Sequence, residues 1–273
     1  MTVRQIKQTI RAIAVSEGAG VTVHRTIGTP ELRNLDPFLM LDHFSSDDPD
    51  DYIAGFPDHP HRGFNTFTYM LDGHMLHQDS MGNRGDLRAG GAQWMKAASG
   101  VIHSEMPQQA NGLMRGFQLW INLPKDQKMS SPGYQEFQPH SFPVIESENS
   151  NVKIIVGEYG GKQSPISDPN THVQYLDVSI VPNAEFSKEL KAELRGFIYL
   201  FEGDITIEGD QLQEHNFAVL GDGDSVRISA GKEGARFILV AGLPLNEPIV
   251  QHGPFVMNTQ EEIKEAFRDY QQH

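Results

Sequence analysis

Four residues of metal-ligating type fall in two pairs of the same spacing. His59 and His61 stand in the run G-F-P-D-H-P-H-R-G-F (residues 55–64), and His103 and Glu105 in S-G-V-I-H-S-E-M-P (99–107). On a β-strand successive side chains point to opposite faces, so residues i and i+2 share one. Two such pairs on neighbouring strands would bring three imidazoles and a carboxylate to one point. That borderline-hard N/O set suits Fe, Mn, Ni, Cu or Zn, and nothing in it calls for thiolate. A His-x-His alone is equally two histidines in a surface loop before a strand. The second pair is what turns it into a candidate site.

The elements that must carry these pairs read as strands. The chain has 273 residues, enough for one large domain or two ordinary ones, and its 26 Gly and 16 Pro fit a turn-rich β protein. Residues 1–30 read as two strands around the turn at 17–20. The run F-L-M-L-D-H-F (38–44) reads as a buried strand, and S-S-D-D-P-D-D (45–51) as a solvated acidic turn lacking the ligand spacing of a calcium loop. A strand over 64–72 turns at Gly73 into a return strand over 74–80, and M-G-N-R-G (81–85) is a tight turn with Asn83 and two glycines at positive φ. Strands over 90–97, 101–107 and 113–123 complete the series. Many short strands at close spacing are the mark of a sandwich or barrel.

The polar, proline-bearing stretch 125–142 reads as a linker, dividing a metal-binding domain over 1–135 from a second domain over 136–273. An internal repeat supports the division. F-T-Y-M-L-D-G (67–73) and F-I-Y-L-F-E-G (197–203) match at an offset of 130. At that offset His59 and His61 become Glu189 and Lys191, and no histidine lies between His215 and His252, so one metal site is expected rather than two. At the C-terminus T-Q-E-E (259–262) is a capping box, followed by Ile263, Ala266, Phe267 and Tyr270 at the spacing of an amphipathic helix. The fold class is therefore mainly all-β, two β-barrel domains with a C-terminal α-helix.

A net charge of -14 repels phosphate backbones and excludes direct nucleic-acid binding. The absence of cysteine excludes disulfides and thiolate sites. No apolar run approaches membrane-spanning length, and the first residues lack a secretory hydrophobic region. A soluble, cytoplasmic protein is expected. Other polar groups have plain readings. His74, His77 and Asp79 form a polar cluster in which His77 and Asp79 share a face; hydrogen bonding near the mouth of the site and a solvated hairpin both account for them. His43 reads as a buried, satisfied histidine rather than a fifth ligand, Trp120 as core, and Gln118 as reaching inward. Met70, Met75, Met81, Met95, Met106 and Met114 enrich the first domain; most read as core filling, though a Met-lined cavity around a metal would admit an aromatic ligand.

Several ordered motifs carry a family resemblance. They are P-D-H-P-H-R-G-F (57–64), H-Q-D-S-M-G-N (77–83), Q-W-M-K-A-A-S-G (93–100), H-S-E-M-P (103–107) and F-Q-L-W-I-N-L-P (117–124), flanked by E-L-R-N-L-D-P-F-L-M-L-D (31–42) and E-P-I-V-Q-H-G-P-F-V-M-N (247–258). They resemble the pirin family of bicupins over nearly the whole chain. The resemblance implies two cupin, jelly-roll-type domains, the first holding one iron ion through His59, His61, His103 and Glu105. It further implies quercetin 2,3-dioxygenase activity on a small, flavonol-like aromatic, with Glu105 taking the 3-hydroxyl proton. It equally implies the alternative of an iron- and redox-dependent regulatory protein whose partner is a transcription factor or a metabolic enzyme. Asn65 stands where many relatives carry Glu, which puts the surroundings of the ligands in question.

Overall fold

The computed structural model describes residues 1–271, and its chain forms two compact units. They are not consecutive halves. One unit comprises Met1–Ala12, Pro30–Pro37 and His140–Pro244, and the other Ile13–Thr29, Phe38–Pro139 and the chain from Leu245 onward. The expected division at 135/136 therefore allots the termini differently from the structure. The alternation of residues 6–16 hides a break: Ile6–Arg11 pairs with Asn216–Leu220, and Ile13–Glu17 pairs instead with Val21–Arg25.

In the unit that carries the candidate ligands, a seven-stranded sheet runs in the order Gly133–Phe137, Ala92–Lys96, Phe64–Asp72, Met114–Asn122, Phe38–Ser46, Val21–Arg25, Ile13–Glu17. A four-stranded sheet runs Phe56–His61, Val101–Pro107, His74–Asp79, Arg84–Arg88. Val23, Phe44, Met70 and Met114 from the first sheet and Met75 and Leu87 from the second share one apolar cluster, so the two sheets pack as a sandwich. Gly73 does not close a hairpin. At φ +99° it passes the chain from the large sheet to the small one, and the strands on either side of it pair elsewhere.

The expected linker contains structure. Gly133–Phe137 pairs with Ala92–Lys96 as the sheet's edge strand, with Pro132 and Pro139 outside the paired stretch, where no ladder N–H is needed. Lys128 is buried at 1% exposure, its ammonium donating to Gly63 O at 2.7 Å, Asn122 Oδ1 at 2.6 Å and Val256 O at 3.0 Å. The acidic turn holds a short 3-10 helix, Pro49–Asp51, capped by Asp48. The C-terminal helix Gln260–Gln271 opens on the expected capping box: Thr259 N and Asn258 N donate to Glu262, and Glu262 N donates to Thr259 Oγ1. Its Ile263 and Ala266 are buried against Phe255 and Met257. No helix among the described residues is long and apolar enough to cross a membrane.

The second unit is built on a nine-stranded sheet in which Arg195–Ile207 lies beside the central strand Ser225–Gly242. The Arg195–Ile207 strand carries the repeat: Phe197 and Tyr199 are as buried as Phe67 and Tyr69, and Gly203, like Gly73, has positive φ. The interior is aliphatic and aromatic, with Ile154, Leu176, Val178, Ile198, Leu200 and Phe237 at its heart. Glu189 and Lys191, at the offset positions of the histidine pair, are exposed.

Candidate metal centre

The two ligand strands are adjacent. Val101–Pro107 runs antiparallel to Phe56–His61 with His103 directly opposite His59 and Val101 opposite His61. The register then slips, Glu105 lying opposite Phe56, so the extra residue of a bulge sits on the His59 strand. Ring centroids are 4.3 Å apart for His59 and His103, 4.7 Å for His59 and His61, and 5.0 Å for His61 and His103. One ring nitrogen from each lies within 4.8 Å of those of the other two.

Each imidazole is engaged on its Nδ1 side. His59 Nδ1 lies 2.8 Å from Pro57 O, His61 Nδ1 3.4 Å from Pro254 O, and His103 Nδ1 3.4 Å from His77 Nδ1. The Nε2 atoms of His61 and His103 are buried with no hydrogen-bond partner. A buried polar nitrogen without a partner is costly, and two beside each other on converging imidazoles fit a cation that accepts both lone pairs. Burial lowers the His61 pKa to about 3, with His59 adding to the effect, and drives His103 well below its ordinary value for the same reason. Both rings stay neutral, as ligation requires.

Glu105 takes a different place from the three histidines. Its carboxylate is grouped with His103 and His77, and its oxygens accept from Thr68 Oγ1 at 3.1 Å, Gln93 Nε2 at 2.5 Å and Gln118 Nε2 at 2.7 Å. The donors form a row, since Gln93 and Gln118 both lie directly opposite Thr68 on the strands flanking it. Gln118 accepts in turn from Trp120 Nε1 at 3.4 Å, and Gln93 from Tyr134 Oη at 3.1 Å. Gln118 thus reaches inward as expected.

A cavity of about 600 Å³ opens beside these groups. His59, His61, Thr68, Glu105 and Gln118 line it, with Val23, Met40, Phe44, Phe56, Met75 and Trp120 as its apolar surface. Arg25, Asp42 and Glu17 form a charged stretch of wall. Arg25 binds Asp42 through two hydrogen bonds of 2.7 Å and Glu17 through a third contact of 2.7 Å. The volume and the mixed lining suit a drug-sized aromatic ligand.

Comparison with known proteins agrees with this architecture. The family model for pirin matches residues 20–121, and that for the pirin C-terminal cupin domain matches residues 175–273. Human pirin is 44% identical over 93% of this chain and 88% of its own length. The chain belongs to the pirin family. A Pseudomonas aeruginosa pirin relative, provisionally named a quercetin 2,3-dioxygenase, is 46% identical over 93% of this chain and 92% of its own. A crystal structure of quercetin 2,3-dioxygenase from Acinetobacter baumannii superposes with a TM-score of 0.90 at 30% identity, covering 99% of this chain and 97% of that one. The pirin assignment makes the chain a bicupin and leaves its chemistry to be argued from the site.

Several polar residues of this pirin stand elsewhere than their sequence suggested. His77 and Asp79 are not on a solvated hairpin: both side chains are fully buried, and Tyr134 stacks on His77 at 4.3 Å and 13°. Asn83 does not supply a positive φ; it donates twice to Asp79, from its backbone and its side chain. Burial alone would raise the Asp79 pKa, but the hydrogen bonds from Asn83 and His77 outweigh it and hold the group below its ordinary value. Asn65 is buried on the face of its strand opposite Thr68 and does not line the cavity, so the Glu-to-Asn departure lies away from the ligands. His43 is buried in a stack on Phe117, outside both ligand groups. Trp120 is core, as expected, but it also lines the cavity. The missed signal was a run of polar residues, Thr66, Thr68 and Gln93, inside otherwise apolar strands with no solvent face to explain them.

Proposed function

We propose that this pirin is a mononuclear metal-dependent dioxygenase of the quercetin 2,3-dioxygenase type, with iron(II) as its metal and a planar flavonol-like substrate. The observation that supports it most is the pair of partnerless, buried Nε2 atoms beside a cavity large enough for such a ligand. His59, His61 and His103 would hold the metal, with Glu105 as fourth ligand. When bound, iron(II) supplies Lewis acidity and one-electron chemistry with dioxygen. The same ligand set accepts Mn, Ni, Cu or Zn, and affinity order and supply decide among them.

The chain's own groups have separate tasks. The carbonyls of Pro57 and Pro254 fix two imidazoles, and Thr68, Gln93 and Gln118 fix the plane of the Glu105 carboxylate. Glu105 lines the cavity, where it accepts the proton of a substrate hydroxyl. The apolar wall removes water and seats an aromatic ring. A purely regulatory, redox-dependent role in binding other proteins needs no cavity of this size, which favours the catalytic reading. The test is protein loaded anaerobically with iron(II), then mixed with quercetin and air. Flavonol absorbance should fall together with dioxygen uptake, and loss no faster than in His61→Ala would refute the activity.

A further inference from the structure

We propose that His77 and Asp79 are positioning residues of the metal centre: together they select the tautomer of His103 that presents a bare Nε2. This rests on the metal-centre reading above and extends it to a pair outside the four proposed ligands.

The argument is one of donor and acceptor bookkeeping. Asp79 is an acceptor only, and four donors converge on it: Met81 N at 2.9 Å, Asn83 N at 3.0 Å, Asn83 Nδ2 at 2.9 Å and His77 Nε2 at 3.1 Å. His77 Nε2 therefore carries the hydrogen. In a neutral imidazole that leaves Nδ1 as an acceptor. The group facing it is His103 Nδ1 at 3.4 Å, which must donate. With its hydrogen on Nδ1, His103 has a lone pair on Nε2, the buried atom that no protein group meets. Reversing any one of these bonds would turn an N–H of His103 into the site.

The geometry holds the relay in one arrangement. On adjacent antiparallel strands His103 lies opposite Asp79 and Glu105 opposite His77, so all four side chains share a face. Both relay side chains are fully buried, which excludes water as a competing partner. Tyr134 stacked on His77 fixes the ring plane, and its hydroxyl is placed by Gln93 and by Glu136 at 2.9 Å. An aspartate behind two imidazoles in series also places negative charge behind the ligand, which raises its basicity toward a cation.

The alternative is that His77 only fills space under Tyr134, and two substitutions separate the readings. His77→Phe keeps the volume and the stack but removes the acceptor for His103. His77→Asn loses volume but sets Oδ1 close to the former Nδ1. Affinity for Ni(II), titrated into metal-free protein against a chelator, should fall about 10–100-fold in His77→Phe and in Asp79→Asn, and recover at least in part in His77→Asn. A packing role predicts the reverse order, and His77→Phe binding within twofold of wild type overturns the proposal. Long-range 1H–15N spectra of the metal-free wild type give a readout independent of any variant's folding. They should show His103 as the Nδ1–H tautomer and His77 as the Nε2–H tautomer, and an Nε2–H His103 overturns the proposal. If wild type and His59→Ala retain Ni(II) equally, the metal centre itself is lost. If only wild type binds but the His77 and Asp79 variants match it, the centre stands and the relay alone fails.

Discussion

The burial of a neutral His61 can be tested without metal. Its folded-state pKa is about 3, against an ordinary value of 6.5. The unfolded chain therefore binds a proton more readily than the folded one between those values, and stability is lost as pH falls through that window. Between pH 7 and pH 4 this single group removes about 3 kcal/mol, because the unfolded imidazole is then almost fully charged and the folded one almost uncharged. His61→Phe is the matching perturbation, since the ring already packs on Phe64 at 5.1 Å and Trp120 at 5.0 Å and a phenyl group fits that setting. The assay is urea unfolding of chelator-treated protein at several pH values, followed by tryptophan fluorescence and extrapolated to water. The chain's two tryptophans, Trp94 and Trp120, both lie in the unit that carries the site, so the signal reports that unit. His103 contributes in the same direction in both proteins through its burial; the part of its lowering that comes from His61 is lost in the variant and adds to the difference between the two curves. Wild type should lose about 3 kcal/mol more than His61→Phe from pH 7 to pH 4. Parallel curves would refute the burial of a neutral His61 and with it the preformed ligand set.

Two other features give sharp expectations. Gly63 has φ +91°, and an added Cβ would overlap the Val256 carbonyl, so Gly63→Ala should cost about 2 kcal/mol or more and raise hydrogen exchange in residues 254–257, which bridge to Arg62. Lys128→Met strands three buried acceptors and should cost about 3 kcal/mol in urea unfolding at pH 7. Burial lowers the Lys128 pKa to about 8, so wild type should gain stability from pH 8 toward 10.5, as the unfolded chain holds the proton longer, and Lys128→Met should lack that gain.

The chemistry was more legible in the sequence than the connections. Ligand-type residues at i and i+2 state their face directly, and in the structure His103 lies opposite His59 on the adjacent strand. Strand pairing across a sandwich is not a local property. Residues 64–72 and 74–79 look like a hairpin because a glycine turn separates them, yet Gly73 leads from one sheet to the other. The same holds for residues 6–16, where an unbroken alternation conceals a change of sheet at Ala12. Residues 133–137 looked like linker because glycine, proline and polar residues suit both a loop and an edge strand. His77 and Asp79 looked solvated because their burial comes from Tyr134, 57 positions beyond His77.

The two units use one strand pattern for opposite purposes, and the difference shows what the site demands. In the repeat, Phe67, Tyr69 and Gly73 correspond to Phe197, Tyr199 and Gly203, and each set is buried or turned alike. Between them, Thr68 faces a carboxylate, whereas the matching Ile198 faces an aliphatic core. A buried carboxylate is tolerated only when its lone pairs are met. Here the donors come from three strands, through Thr68, Gln93 and Gln118, while the histidines come from two others. Losing Gln118 would leave one carboxylate oxygen without its donor, and losing the carboxylate would leave Thr68, Gln93 and Gln118 with only their weaker contacts to one another. The polar row and the ligands are thus energetically linked: intermediate compositions are costly, and the low-energy choices are a complete site or an apolar interior. The first unit has the former and the second the latter. On the proposed metal-centre reading, the polar row that a ligand carboxylate needs is met in one unit, while the other fills the matching position with Ile198 in an aliphatic interior.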